Sequence, residues 1–151
     1  MEFAEYQCSH CKTAGGYLDR VVERFAGNVK VVYMDFPITE TVVSRTIARG
    51  GVCADEQGKF WAYHDLAYQQ QEDMHQDLPI ELADEIGLDG KAFGDCLGSE
   101  KAAARVERTE REARRLQLKR TPGIFVNGKP VIGHDDLERN IIRAVEVELA
   151  Q

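Results

Sequence analysis

Residues 29–36, VKVVYMDF, form a β-branched and aromatic run entered from Gly27-Asn28 and closed by Pro37, which is the signature of a buried strand. A shorter strand pattern covers residues 2–6. Between the two the hydrophobic period changes: Ala14, Tyr17, Leu18, Val21, Val22 and Phe25 recur at spacings of three and four, so Cys8 to about Phe25 reads as a helix. Gly15 and Gly16 weaken that helix by about 1 kcal/mol each relative to alanine. Strand, helix and strand in so short a stretch make a right-handed crossover between two parallel strands. The fold class is therefore α/β.

From about Thr39 to Leu118 the period is helical throughout. The pattern predicts helices over residues 40–51, 54–71, 79–86, 89–97 and 99–118, punctuated at Gly50-Gly51, Pro79, Gly87 and Gly98. Sheet-forming sequence returns in GIFVNGKPVIG, where Asn127-Gly128 between two short apolar runs predicts a type I′ hairpin. Pro130 removes a ladder donor and assigns the second run to an edge. Asp135 with Glu138 has the spacing of a capping box, opening a last helix striped by Leu137, Ile141, Val145 and Leu149.

At 151 residues the chain holds one domain, or one domain with a sizeable insertion. No window long enough to span a bilayer lacks charge. A net charge of −7 argues against a nucleic-acid partner, because the phosphate backbone requires a basic face. Proteins or small molecules are the expected partners. Met1–Tyr6 reads as the end of a strand without a beginning, so a mature, trimmed or excised chain is expected, the excised domain of a membrane fusion being one such reading.

The order of elements puts the Cys8-Ser9-His10-Cys11 motif at the carboxyl end of a strand and the amino end of a helix, where open α/β sheets gather their chemistry. Zinc needs four ligands, and these cysteines supply half a site, while Cys53 and Cys96 stand alone and His64 and His75 are widely spaced. A structural Cys8–Cys11 disulfide would close a very small loop and constrain the unfolded chain little. A redox reading uses every feature. Unpaired N–H groups and the partial positive charge of the helix start favour a thiolate at Cys8, and Cys11, one turn in, can resolve a mixed disulfide. His10, between the sulfurs, is expected to stabilise the Cys8 anion further.

The blocks EFAEYQCSHC, CADEQGKFWAYHDLAY, IGLDGKAFGDCL and TPGIFVNGKPVIG together resemble the DsbA-like branch of the thioredoxin superfamily. The resemblance implies a thioredoxin fold, β-α-β then β-β-α, carried by residues 1–38 and 119–151 and interrupted by an all-helical insertion over residues 39–118. It implies a thiol-disulfide oxidoreductase acting on the thiols of unfolded or partly folded proteins, without metal or organic cofactor. An extracytoplasmic location and re-oxidation by a membrane partner of the DsbB or vitamin K epoxide reductase type are implied as well. A reductase or isomerase of the same fold, and a redox-inert binding module, are the alternatives.

Residue by residue, Cys8 matches the nucleophile and Cys11 the resolving thiol. Thr121-Pro122 matches the loop whose proline is cis in this fold, which would leave the Thr121 backbone free to pair with an extended substrate. Glu2 stands where relatives place a buried acid that could relay a proton to Cys11; a frayed terminal charge is the other reading. Glu5 reads equally as a commonly acidic position or a solvated strand end. Cys53 and Cys96 match cysteines that recur in some relatives. As a disulfide they would add roughly 4 kcal/mol by the chain-entropy estimate, and otherwise they pack as free apolar thiols. Ser9 departs from the proline frequent in the motif. Phe60, Trp61, Tyr63 and Tyr68 are expected to pack a core, with a peptide groove as the minority reading.

Overall fold

A computed structural model describes residues 1–133 and 135–151. The first strand, β1 (Glu2–Ala4), runs into helix α1 (Ser9–Arg24), and β2 (Tyr33–Asp35) returns parallel to β1 with Phe3 opposite Met34. Five helices follow: α2 (Val42–Glu56), α3 (Phe60–Gln69), α4 (Leu78–Glu85), α5 (Gly90–Leu97) and α6 (Glu100–Arg115). The chain then re-enters the sheet through β3 (Gly123–Val126) and β4 (Lys129–Pro130) and ends in α7 (Leu137–Leu149). Among the described residues the sheet order is β2-β1-β3-β4, with β1 central and antiparallel to β3.

The hairpin turns at Asn127 and Gly128, both at positive φ (48° and 80°) as a type I′ turn requires, and Pro130 lies on the edge strand. The β2 ladder is shorter than the apolar run that predicts it. Only Tyr33–Asp35 pair, because β1 offers three residues; Glu2 N–H to Val32 O (2.9 Å) and Phe36 N–H to Ala4 O (2.8 Å) mark its limits.

Gly50-Gly51 does not end a helix. α2 runs through the pair, and glycine serves there for packing: a side chain at Gly50 would overlap the Tyr63 ring, whose hydroxyl donates to Ile47 O at 2.9 Å. The break comes later, at Gly58, where φ is +72°. The expected capping box at the last helix is absent too. Asp136 occupies the N-cap without a side-chain bond, and Glu138 is drawn instead to Arg20 of α1, which it meets at 2.6 and 2.9 Å.

Three apolar clusters hold these parts. Ala14, Leu18 and Val21 of α1 meet Ile124 and the Leu137, Ile141 and Val145 stripe of α7 on one face of the sheet. Phe3, Phe36 and Phe125 pack on Ala113 of α6 on the other. The third and largest cluster fills the helical insertion, from Ile47 and Tyr63 to Phe93 and Val106, and includes Ala4, Tyr6 and Cys11. The Cys-x-x-Cys turn is thus built into the contact between sheet and insertion.

Candidate active site

Cys8 is the N-cap of α1. Its backbone is extended (φ −90°, ψ 115°), and its sulfur accepts from the Cys11 N–H at 3.4 Å, taking the place of the Ser or Asp oxygen that caps other helices. Cys8 is half-buried, Cys11 is fully buried, and both thiols are free. The environment separates the two sulfurs. The Cys11 thiol, donating to Cys8, is the largest influence holding the Cys8 thiol down at about 5; partial burial opposes it, and the Thr121 side chain and the backbone N–H groups of Cys11 and His10 add to it. Cys11 is pushed far above the ordinary thiol range, first by burial and then by donating to, and lying beside, the Cys8 anion.

The loop after α6 closes the site from the opposite side. The Thr121-Pro122 bond is cis, Pro122 is buried, and as a thiol Cys8 donates to Thr121 O at 3.7 Å. His10 sits between the sulfurs in sequence, yet its side chain is exposed and the group that reaches Cys8 is its backbone N–H.

The chain leading to Cys8 is gripped by the insertion at each step. Glu5 accepts at one carboxylate oxygen from Thr39 Oγ1 (2.9 Å) and Ser44 Oγ (2.7 Å), and its carbonyl accepts from the Tyr68 hydroxyl at 3.2 Å. Gln71 donates to Tyr6 O at 2.7 Å, and Thr41 donates to the Gln7 side chain at 2.6 Å. Glu5 is only 4% exposed, so it is no solvated strand end. Its donors lie on the approach to α2 and in its first turn, far along the chain, where sequence gives no sign of them.

Glu2 is buried rather than frayed. Burial raises its carboxyl to about 8, the N-terminal ammonium works against that rise, and the Cys8 anion adds to it. Its Oε1 has no hydrogen-bond partner among the described residues. Asp35, which the sequence did not single out, is a second such acid: burial raises it to about 7, against the pull of Arg105, and its Oδ1 is unpartnered. Cys53 of α2 and Cys96 of α5 are joined in a disulfide with Cα atoms 5.8 Å apart, remote in sequence from the reactive pair. Of the aromatic residues, Tyr63 and Tyr68 are buried in the core while Trp61 remains 47% exposed. Among the described residues no group of three or more His, Cys, Asp or Glu is disposed to hold a metal ion, and no helix is long and apolar enough to cross a membrane.

A family model described as "Thioredoxin" matches residues 1–142. The chain belongs to that thioredoxin family. Its fold, with the helical insertion, is that of DsbA: oxidoreductase DsbA from Xylella fastidiosa superposes with a TM-score of 0.82 over 99% of this chain and 85% of its own, at 22% identity. A thioredoxin-like oxidoreductase from Silicibacter pomeroyi DSS-3 is 25% identical, with a TM-score of 0.78 over 96% of this chain and 84% of its own. Among curated sequences, the Na(+)/H(+) antiporter NhaA 1 of Mycobacterium sp. (strain KMS) is 31% identical over 97% of this chain and 24% of its own length. The chain thus spans about a quarter of the curated relatives it matches.

Proposed function

We propose that this thioredoxin-family chain is a thiol-disulfide oxidoreductase that donates a Cys8–Cys11 disulfide to the thiols of protein substrates. The observation that carries the reading is the opposite treatment of two sulfurs one helical turn apart: Cys8 favoured as an anion at the helix start, Cys11 kept protonated beneath it. A substrate thiolate attacks Cys8 Sγ, the Cys8–Cys11 bond breaks, and its electron pair leaves on Cys11. That sulfur takes a proton from the Glu2 carboxyl. A second substrate thiolate attacks the substrate sulfur of the mixed disulfide, expelling Cys8 as a thiolate. The substrate is oxidised by two electrons and the Cys8–Cys11 pair is reduced by two.

The direction of transfer follows from the Cys8 anion. Stabilising the thiolate stabilises the dithiol form, by about 1–2 kcal/mol at neutral pH once the half-exposure of Cys8 is allowed for. The disulfide is correspondingly more oxidising, by tens of millivolts on a two-electron couple. Thr121, across from Cys8, is assigned the backbone pairing with an extended substrate strand. Extracytoplasmic work and re-oxidation by a membrane partner of the DsbB or vitamin K epoxide reductase type belong to the same reading.

Equilibration with glutathione tests it. A potential nearer the roughly −120 mV of a strong oxidant than the roughly −270 mV of thioredoxin supports donation. A thioredoxin-like value makes the chain a reductase or isomerase, and full activity after Cys8→Ser makes it a redox-inert module.

A further inference from the structure

His64 of α3 is packed among the rings of Tyr6, Tyr33, Phe60, Trp61 and Tyr68, with centroids 5.0–6.0 Å away. A hydrocarbon ring would satisfy such a nest. The imidazole brings two polar nitrogens that burial penalises unless they are paired. One is paired: Nδ1 lies 2.9 Å from the Asp65 carboxylate, which fixes Nδ1–H as the donor and leaves the Nε2 lone pair free. The other is not. The His64 side chain is 8% exposed, and Nε2 is buried without a partner among the described residues.

Glu2 Oε1 is in the same condition, and the two residues line one cavity of about 460 Å³. Asp19 and Glu23 of α1, Lys30 before β2 and Trp61 of α3 also line it, and all four are exposed, so the cavity opens to solvent there. Leu18, Val22 and Val31 make much of the wall apolar, and against it unsatisfied polar atoms of both kinds, with charged side chains at the mouth, mark a solvent-connected passage for water and protons.

We propose that His64 is the second station of the proton path that serves Cys11, exchanging protons with Glu2 across this cavity and with solvent at its mouth. The inference rests on the disulfide-donor reading and on Glu2 as the partner of Cys11. When the Cys8–Cys11 bond opens, the proton that reaches the Cys11 sulfur leaves Glu2 as a carboxylate. Nε2–H of the imidazolium passes a proton to that carboxylate through the cavity, and neutral His64 regains one from solvent. Re-oxidation runs the same transfers backwards, and no proton is gained or lost beyond those exchanged with water.

The groups around His64 suit a carrier rather than a store. Burial lowers its hold on a proton, and Asp65 then Asp19 work in the other direction. From the β1 side it faces Glu2 across the cavity and the ring of Tyr6, just beyond the strand; from β2 Tyr33; from its own helix Tyr68; and Glu23 and Lys30 stand at the mouth. The three tyrosines stay protonated because burial raises each of them.

His64→Phe keeps the ring and removes the carrier. The oxidised 151-residue chain is mixed with dithiothreitol and the rate of Cys8–Cys11 reduction is followed against pH. The expected result is a loss of about tenfold near neutral pH, smaller than the ~10²–10⁴ of a direct acid–base group because cavity water substitutes in part. Added imidazole restores the rate, the ultraviolet titration of Cys8 is unchanged, and in a Glu2→Gln background His64→Phe has no further effect. His64→Gln, which keeps polarity but cannot carry a proton at these pH values, shows the same loss and the same rescue, and it serves if the phenylalanine variant does not fold. A wild-type pH profile in either folded variant overturns the proposal, as does a loss that imidazole does not relieve. An active parent with indifferent His64 variants sinks this inference alone, whereas a parent inert toward dithiols sinks the disulfide-donor reading.

Discussion

Cys8 and Cys11 carry the same side chain three positions apart, and the fold moves them in opposite directions. Cys8 faces the free N–H groups of a helix start and accepts from Cys11, while Cys11 looks into the apolar cluster of the insertion with no access to water. The difference teaches that burial alone does not decide the charge of a thiol. Donors aimed at the sulfur outweigh partial burial at Cys8, and burial dominates where the sulfur must itself donate.

Removing either sulfur breaks the comparison outright. Cys8→Ser should reduce disulfide transfer to a reduced protein substrate to the uncatalysed background. Cys11→Ser should leave Cys8 able to attack the disulfide of an oxidised protein substrate but unable to be freed, so mixed disulfides accumulate on non-reducing gels. Mixed disulfides that form on the Cys8→Ser protein, or none on Cys11→Ser, would contradict the assignment of roles.

Glu2→Gln removes the proton partner of Cys11 without touching Cys8. Reduction of the disulfide should slow by about two orders of magnitude near neutral pH, the low end of the range of a positioned acid–base group, while the Cys8 titration near pH 5 keeps its place, because Glu2, held at about 8, is uncharged there. An unchanged pH–rate profile would show that Cys11 is protonated by another route.

The stability of the dithiol form should follow the two sulfurs in turn. Cys8 ionises at about 5 in the fold and near 9.0 in the unfolded chain. Its contribution is absent below the lower value, grows by about 1–2 kcal/mol towards neutrality after screening, and is complete above the higher one. Cys11, held protonated, works the other way only where the unfolded thiol ionises, above roughly pH 8.5. Urea unfolding of reduced and oxidised protein across this range measures the difference. A gap that does not widen as pH rises from 5 to neutrality would contradict the sign.

The smallest effect belongs to His10. Because its backbone N–H reaches Cys8 while its ring is exposed, His10→Gln should move the Cys8 titration by less than about one unit, or ~1.4 kcal/mol. A shift of two units would give the imidazole the larger role that its place in the motif suggests.

The frame of the molecule was legible where the determinants are local. The Asn127-Gly128 turn, the α1 stripe and the Cys-x-x-Cys at a strand–helix junction each depend on neighbours a few positions away. What could not be read depends on contacts across the chain. Gly50 makes room for Tyr63 of the next helix instead of ending its own, Glu138 leaves its capping role for Arg20, and Glu5 is buried because Thr39 and Ser44 come to it. His64 entered the sequence reading only as a residue too far from His75 to share a metal. Its unpaired nitrogen and its cavity shared with Glu2 exist only once the insertion is folded against β1.

The account stands on the Cys8 sulfur being an anion at neutral pH. Titrating the ultraviolet absorbance of the reduced chain, with Cys8→Ser as the reference, reads that state directly. A thiolate transition near pH 5 is the predicted result, and a first transition only near the ordinary pH 8.5 or so would contradict it.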